Sequence, residues 1–179
     1  ILRFVHAAVQ VGVRKVRITG GEPLVRRDLD FLIRRLVAVP ELADLSLTTN
    51  GVLLAPWAER LHAAGLRRLN VHLDTLDRER GRRMTRRGVL TTVLEGIEAC
   101  RRLGFGPIKI NAVAVKGLNE PDIIPLARFG REMGIEVRFI EFMPLDSQAI
   151  WNNSAVLSAD EMLGMLEAEF GALEAIPDR

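Results

Sequence analysis

Three features of the sequence predict an α/β fold built on a curved parallel sheet that closes partly or fully into a barrel. Short runs at 13–19, 44–49, 67–73, 108–115 and 136–142 have the apolar alternation or β-rich composition of strands. Amphipathic segments of helical length separate these runs. A glycine pair, Gly20-Gly21, marks the point where the first run stops. Alternating strand and helix is the pattern of βαβ units, and right-handed crossovers carry the helices to one side of such a sheet.

Taken in order, residues 1–11 carry the stripe Leu2, Val5, Val9 of an amphipathic helix that stops at Gly12. In 13–19, Lys15, Arg17 and Thr19 alternate with Val16 and Ile18, giving the first strand one polar and one apolar face. Gly20-Gly21 then removes two side chains, so the backbone can turn sharply and a ligand can approach it. Glu22 supplies a carboxylate at that point, and Pro23 fixes the exit toward the next helix. Asp28 is placed to cap a helix reaching Val39, with Leu29, Leu32, Ile33 and Leu36 facing inward and Pro40 ending it. DLSLTT at 44–49 is the second strand and Asn50-Gly51 its turn.

A helix over 55–64 stops at Gly65, and the third strand follows at 67–73, with Asn70, His72 and Asp74 on its polar face. The stretch DRERGRRMTRRG at 77–88 reads as a solvated short helix and loop. A helix from Thr91 to Leu103 precedes the strand IKINAVAV at 108–115. A helix from Asp122 to Met133 tolerates Pro125 because it falls in the first turn, and the fifth strand occupies 136–142. Residues 144–157 lack periodicity and read as a long loop. Ser158 with Asp160-Glu161 then opens a capped helix to Phe170.

The chain of 179 residues, 48% hydrophobic, suits a single domain over 1–179 with a sizeable core. No apolar run approaches the roughly 18 residues of a membrane span, and there is no signal-peptide pattern, so no membrane partner and a cytoplasmic location are expected. Twenty-five basic against 23 acidic residues give a formal charge of +2, which does not argue for a nucleic-acid partner. Cys100 is the one cysteine and lies on the apolar face of LEGIEACRRLG, where packing is its expected role. It cannot hold an iron–sulfur cluster, which takes several thiolates. The chain begins at Ile1 inside what reads as a helix end, as a piece of a longer protein would. If the barrel lacks a strand and an end cover, exposed sheet edge and apolar surface are expected, and a homodimer is one way to cover them.

In parallel barrels ligands sit where the loops at the carboxyl ends of the strands converge. Inward positions near those ends are Lys15, Arg17 and Thr19, then Thr48-Thr49-Asn50, then Asn70, His72 and Asp74, then Lys109 and Asn111. Buried cations need partners to offset desolvation. Several of them point to a negatively charged ligand, and a triphosphate fits; the alternative is that they lie on the surface or pair with Asp74 and Glu141. His6 and His62 have no metal-ligand spacing, Trp57 and Trp151 read as packing residues, and no acid–base pair identifies a catalytic residue.

The string RITGGEPLVRRDLD at 17–30 resembles the radical S-adenosylmethionine (SAM) enzymes, in which a GGEP turn meets the amino group of SAM. LTTNGVLL at 47–54, LNVHLDTLD at 69–77, IKINAVAVKGLNE at 108–120 and VRFIEFMP at 137–144 resemble the GTP 3′,8-cyclase family, molybdenum cofactor biosynthesis protein A. The resemblance implies an incomplete parallel (β/α) barrel of the radical SAM, partial TIM barrel type, with five of six core strands present. It implies that the N-terminal cluster loop and the C-terminal cluster domain lie outside this chain. The implied cofactors are SAM and [4Fe–4S] clusters, whose ligand cysteines would lie in those missing parts.

Gly21, His72 and Met143 match family positions that contact SAM, and Gly20, Glu22 and Pro23 complete the turn. Arg17, Thr48 and Lys109 match positions that contact the substrate GTP; Lys15 and Arg138 resemble further basic positions around it. The family more often carries serine at position 72. Arg138 and Met143 are five residues apart, so a regular strand cannot aim both inward; the strand is expected to end near Phe142 and free Met143. The implied activity converts GTP to (8S)-3′,8-cyclo-7,8-dihydroguanosine 5′-triphosphate in the first step of molybdopterin synthesis. A 5′-deoxyadenosyl radical takes the 3′ hydrogen, and the 3′ carbon attacks C8. Alternative readings are a different radical SAM enzyme, for instance a peptide-modifying one, or a clusterless SAM- or nucleotide-binding module.

Overall fold

The structure, a computed structural model, describes residues 1–85, 88–143 and 153–176. Its strands form one parallel sheet in sequence order: β1 (Lys15–Ile18), β2 (Asp44–Thr49), β3 (Arg68–His72), β4 (Ile108–Ala114) and β5 (Glu136–Glu141). The helices are α1 (Leu2–Gln10), α2 (Leu29–Val37), α3 (Leu54–Ala63), α4 (Arg78–Thr85), α5 (Leu90–Arg102), α6 (Ile123–Met133) and α7 (Ala159–Phe170).

Side-chain alternation decides which face of the sheet the helices cover. Along β4, Ile108, Ile110, Ala112 and Ala114 are buried while Lys109, Asn111 and Val113 are less so. The buried row joins Leu47, Leu69 and Val71 against Leu54, Leu61 and Ile97 of α3 and α5 and Leu126 of α6. The opposite face is polar, and among the described residues no helix packs on it. Parallel register sets its residues in rows: Arg17 beside Ser46 beside Arg68, and Thr48 beside Asn70 beside Lys109 beside Glu136. Among the described residues the helices lie on one side of the sheet, as the alternation predicts, and the arrangement is that of the partial parallel (β/α) barrel the resemblance implies.

Two helices approach their neighbours through a glycine. A Cβ on Gly96 of α5 would lie 2.9 Å from Leu54 Cβ, and one on Gly130 of α6 would lie 2.5 Å from Val137 Cγ2 and 2.7 Å from Ile135 O. Smaller clusters fasten the ends: Val5 and Val9 of α1 pack on Leu32 and Leu36 of α2, and Met162 of α7 packs with Ile123 and Leu157.

Several local expectations are corrected. Pro23 opens a single 3-10 turn, Pro23–Val25, before α2. Asp28 stands at the N-cap of α2, but its side chain makes no cap hydrogen bond and pairs instead with Arg26 at 3.0 Å. Ser158 does form a full capping box with Glu161. Of the loop expected at 144–157, residues 144–152, Trp151 among them, lie outside the described residues; 153–155 form a 3-10 turn, and Val156 bridges Val115 in antiparallel fashion. β1 and β5 are the sheet edges, and Phe4, Val11, Val25 and Phe31 are exposed apolar side chains near the first. No helix of the described residues is long and apolar enough to cross a membrane.

Candidate functional site

The glycine turn follows β1 directly. Gly20 has φ +153°, a value that favours glycine, and neither glycine has an atom within 4 Å of where a Cβ would sit. The backbone here is exposed and open to a ligand. Glu22 is expected to offer its carboxylate at this point, but the fold uses it. Oε1 accepts from Leu24 N at 3.0 Å and from the Thr49 hydroxyl at 2.8 Å, and Oε2 accepts from Asn50 N at 2.8 Å. Thr49 Oγ1 in turn accepts from Gly51 N at 3.0 Å. One carboxylate therefore ties the turn after β1 to the turn after β2. Pro23 is buried behind it.

His72 ends β3. Its Nε2 lies 2.8 Å from Asp74 Oδ2, while Asp74 Oδ1 accepts from Val113 N at 2.7 Å. The hydrogen bond to Asp74 raises the histidine's pKa above its ordinary value, against the opposing effect of burial. Buried Asn119 completes the join: its amide donates to Asp74 O at 2.8 Å and Val113 O at 2.9 Å, and its Oδ1 accepts from Val115 N. The carboxyl ends of β3 and β4 are thus held by a hydrogen-bonded network rather than left as free loops.

A cavity of about 320 Å³ opens at this end, with Asn50, His72 and Asp74 on one side and Arg78, Arg82 and Met84 of α4 on the other. The charged stretch expected to be a solvated helix and loop thus walls a cavity through α4. A bidentate pair fastens α4 in place, Arg80 Nε to Asp122 Oδ2 at 2.6 Å and Nη2 to Oδ1 at 3.3 Å, with Asp122 itself buried.

The expected anion-binding side chains converge elsewhere, on the polar face. Arg17, Arg68, Lys109 and Arg138 line one cleft with Asp44, Ser46, Asn70 and Pro107. Asp44, Arg68 and Pro107 stand at or just before the amino ends of β2, β3 and β4, so the cleft reaches toward the amino ends and not the carboxyl ends where these cations are expected. Lys109 is second in its strand and Arg138 third, which places both below the loops.

The cations' counter-ions are not Asp74 and Glu141, the alternative partners read from the sequence. Asp74 holds His72, and Glu141 accepts from Ala159 N. Instead Arg68 pairs with Asp44 at 2.6 Å, and Glu136 holds both Lys109 at 2.7 Å and Arg138 at 2.6 Å. Arg17 and Lys15, both exposed, have no hydrogen-bond or ion-pair partner among the described residues; Lys15 is not among the cleft's lining residues. Thr48 lies beside Asn70 in the row that leads to Lys109, and its hydroxyl oxygen is buried with no partner among the described residues. A buried hydroxyl without a partner is costly, and a ligand atom would satisfy it.

Arg68, Asp44 and Glu136 are the residues that sequence reasoning missed. The signal for Arg68 is present, since it lies two residues before Asn70 and so shares its face. β5 ends at Glu141, which leaves Met143 beyond the strand and 54% exposed while Arg138 lines the cleft. His62 packs near Phe105, and Trp57 lies under the Arg60 guanidinium.

An iron–sulfur cluster does not fit the residues of this chain. No group of three His, Cys, Asp or Glu side chains among the described residues could hold a metal. Cys100 is fully buried in the core, and burial pushes its thiol up to about 12.

The model of the radical SAM superfamily matches residues 1–130. The chain belongs to the radical SAM superfamily. Among curated relatives it is 51% identical over 160 residues to the GTP 3′,8-cyclase of Rhodopirellula baltica, covering 89% of this chain and 45% of that protein. The GTP 3′,8-cyclases of Thermodesulfovibrio yellowstonii and Moorella thermoacetica are 41% and 42% identical, covering 97% and 99% of this chain and 53% and 54% of their own lengths. The chain spans about half the length of the curated relatives it matches.

Two solved radical SAM structures share its fold. Coproporphyrinogen III oxidase from Escherichia coli has a TM-score of 0.65 at 16% identity, covering 93% of this chain and 42% of that one. A radical SAM methyltransferase from Sphaerobacter thermophilus has a TM-score of 0.65 at 21% identity, covering 91% and 50%. At such identities the likeness speaks for the fold.

Proposed function

We propose that this radical SAM chain is the central part of a cytoplasmic GTP 3′,8-cyclase, which converts GTP to the 3′,8-cyclised nucleotide of molybdenum cofactor synthesis. On this reading the N-terminal cluster loop and the C-terminal cluster domain, with the cysteines of both [4Fe–4S] clusters, belong to parts of the protein outside residues 1–179. The observation that carries the reading is the cation-lined cleft: four basic side chains from four strands face one space, against two carboxylates.

SAM, when bound, supplies the radical that takes hydrogen from the substrate. The residues of this chain bind and orient. Arg17, Lys109 and Arg138 hold the triphosphate, with Lys15 adding charge at the β1 end, and the unpartnered Thr48 hydroxyl takes a polar atom of the nucleotide. The open backbone of Gly20-Gly21, set by Glu22 and Pro23, holds the amino-acid part of SAM, with His72 and Met143 as further contacts.

The test is GTP binding and turnover by the full-length protein, reconstituted without oxygen. Cyclised nucleotide and 5′-deoxyadenosine are the expected products. Arg17→Ala and Lys109→Ala are each expected to weaken GTP binding roughly 10- to 100-fold, the worth of one charge-assisted contact. Formation of 5′-deoxyadenosine with a peptide and none with GTP would mean a different radical SAM enzyme.

A further inference from the structure

Glu136 is a carboxylate paired with two of the cations that line the cleft. It lies at the start of β5, directly beside Lys109 in the sheet register. Its two oxygens are divided between two cations, Oε2 on Lys109 Nζ at 2.7 Å and Oε1 on Arg138 Nε at 2.6 Å. The lysine is well covered, its side chain 15% exposed, whereas Glu136 is 48% exposed. The contact with Lys109, with Arg138 adding to it, holds the carboxyl below its ordinary range, so it stays charged at neutral pH.

The remaining charges are placed differently. Arg68 across the cleft has its own counter-ion, Asp44, at 2.6 Å, and Arg17 has no partner among the described residues. Lys109 and Arg138 are therefore the two cations of the cleft that share one carboxylate.

We propose that Glu136 is an internal competitor for the phosphate seat, a specificity-determining residue that a polyphosphate displaces from Lys109 and Arg138. This rests on the reading of the cleft as the triphosphate site. A weakly charged anion gains little by taking the place of a carboxylate already seated there. A triphosphate reaches Arg17 as well and gains contacts that Glu136 does not make. The exposed carboxylate can swing out to water, so displacement costs two partly solvated ion pairs rather than a buried charge. Glu136 thereby biases the cleft toward polyanions and keeps Lys109 and Arg138 paired when the site is empty.

The test measures binding of GTP, inorganic tripolyphosphate, inorganic phosphate and guanosine to the full-length protein and its Glu136→Gln and Glu136→Asp variants. Glutamine keeps the shape and removes the charge. Glu136→Gln is expected to bind tripolyphosphate and GTP on the order of tenfold more tightly, a change of about 1.4 kcal/mol, and to leave guanosine unchanged. Its largest proportional gain is expected for inorganic phosphate, and Glu136→Asp is expected to stay within about threefold of the wild type.

If Glu136 merely braces Lys109, Glu136→Gln weakens GTP or leaves it within twofold while Lys109→Ala still weakens tripolyphosphate binding; either result overturns the proposal alone. If the wild type binds neither GTP nor tripolyphosphate, the reading of the cleft itself fails.

Discussion

His72 shows how much a single hydrogen bond decides. Imidazole is the side chain whose ordinary pKa lies nearest neutrality, and here Asp74 biases it toward the charged form. Asp74 is held by the backbone of β4, through Val113 N, so it cannot turn away. The folded-state pKa is therefore raised. The stabilisation is fully present below the unfolded value of 6.5 and is lost as pH rises through the folded one. An NMR titration of the His72 ring is expected to give a midpoint above 6.5, and Asp74→Asn is expected to lower it. A midpoint that Asp74→Asn leaves in place would mean the pair does not form in solution. The position was legible as an inward polar residue of β3, because Asn70, His72 and Asp74 keep strict alternation. The pairing of His72 with Asp74 is not legible there, since Asp74 lies past the strand end and its aim depends on β4, 39 residues away.

At the scale of elements, alternation made the strands legible. The sequence pattern matches the observed bounds of β2 and those of the other strands within one or two residues, because each has one face against helices and, among the described residues, one without. What sequence could not show is which loops are bound together. In sequence Glu22 stands as a carboxylate beside the glycine turn, yet its partners Thr49 and Asn50 lie 27 and 28 residues on. The counter-ions of the cleft were missed for the same reason: Glu136 meets Lys109 through strand register, which local pattern does not encode. α4 was read as solvated because its arginines dominate its composition, and long basic side chains can wall a cavity with their stems. Glu22→Gln tests the coupling of the two loops. The amide retains one acceptor but sets an NH2 donor against Asn50 N–H or the Thr49 hydroxyl. A loss of about 1–3 kcal/mol on denaturant unfolding is expected. An unchanged midpoint would mean the two turns hold their places without this carboxylate.

For the whole molecule, the two faces of the sheet have opposite tasks. One is buried under helices and supplies the core. The other gathers Arg17, Arg68, Lys109 and Arg138 with two carboxylates, and so carries a surplus of positive charge that only an anion can relieve. A polyanion should therefore stabilise the fold as a whole. Binding adds RT ln(1 + [L]/Kd), about 2.7 kcal/mol at a hundredfold excess over Kd. Each kcal/mol raises the melting temperature of a domain of this size by roughly 2–4 °C. Thermal unfolding of the full-length protein is thus expected to move up by several degrees with saturating tripolyphosphate, and not with guanosine at the same concentration. The cations are partly exposed, so the shift should fade toward 1 M salt, where the screening length falls to about 3 Å. A tripolyphosphate shift that survives such salt would show that the exposed charges of this face do not carry the binding, and a shift that guanosine reproduces would show that the nucleotide is held through its base.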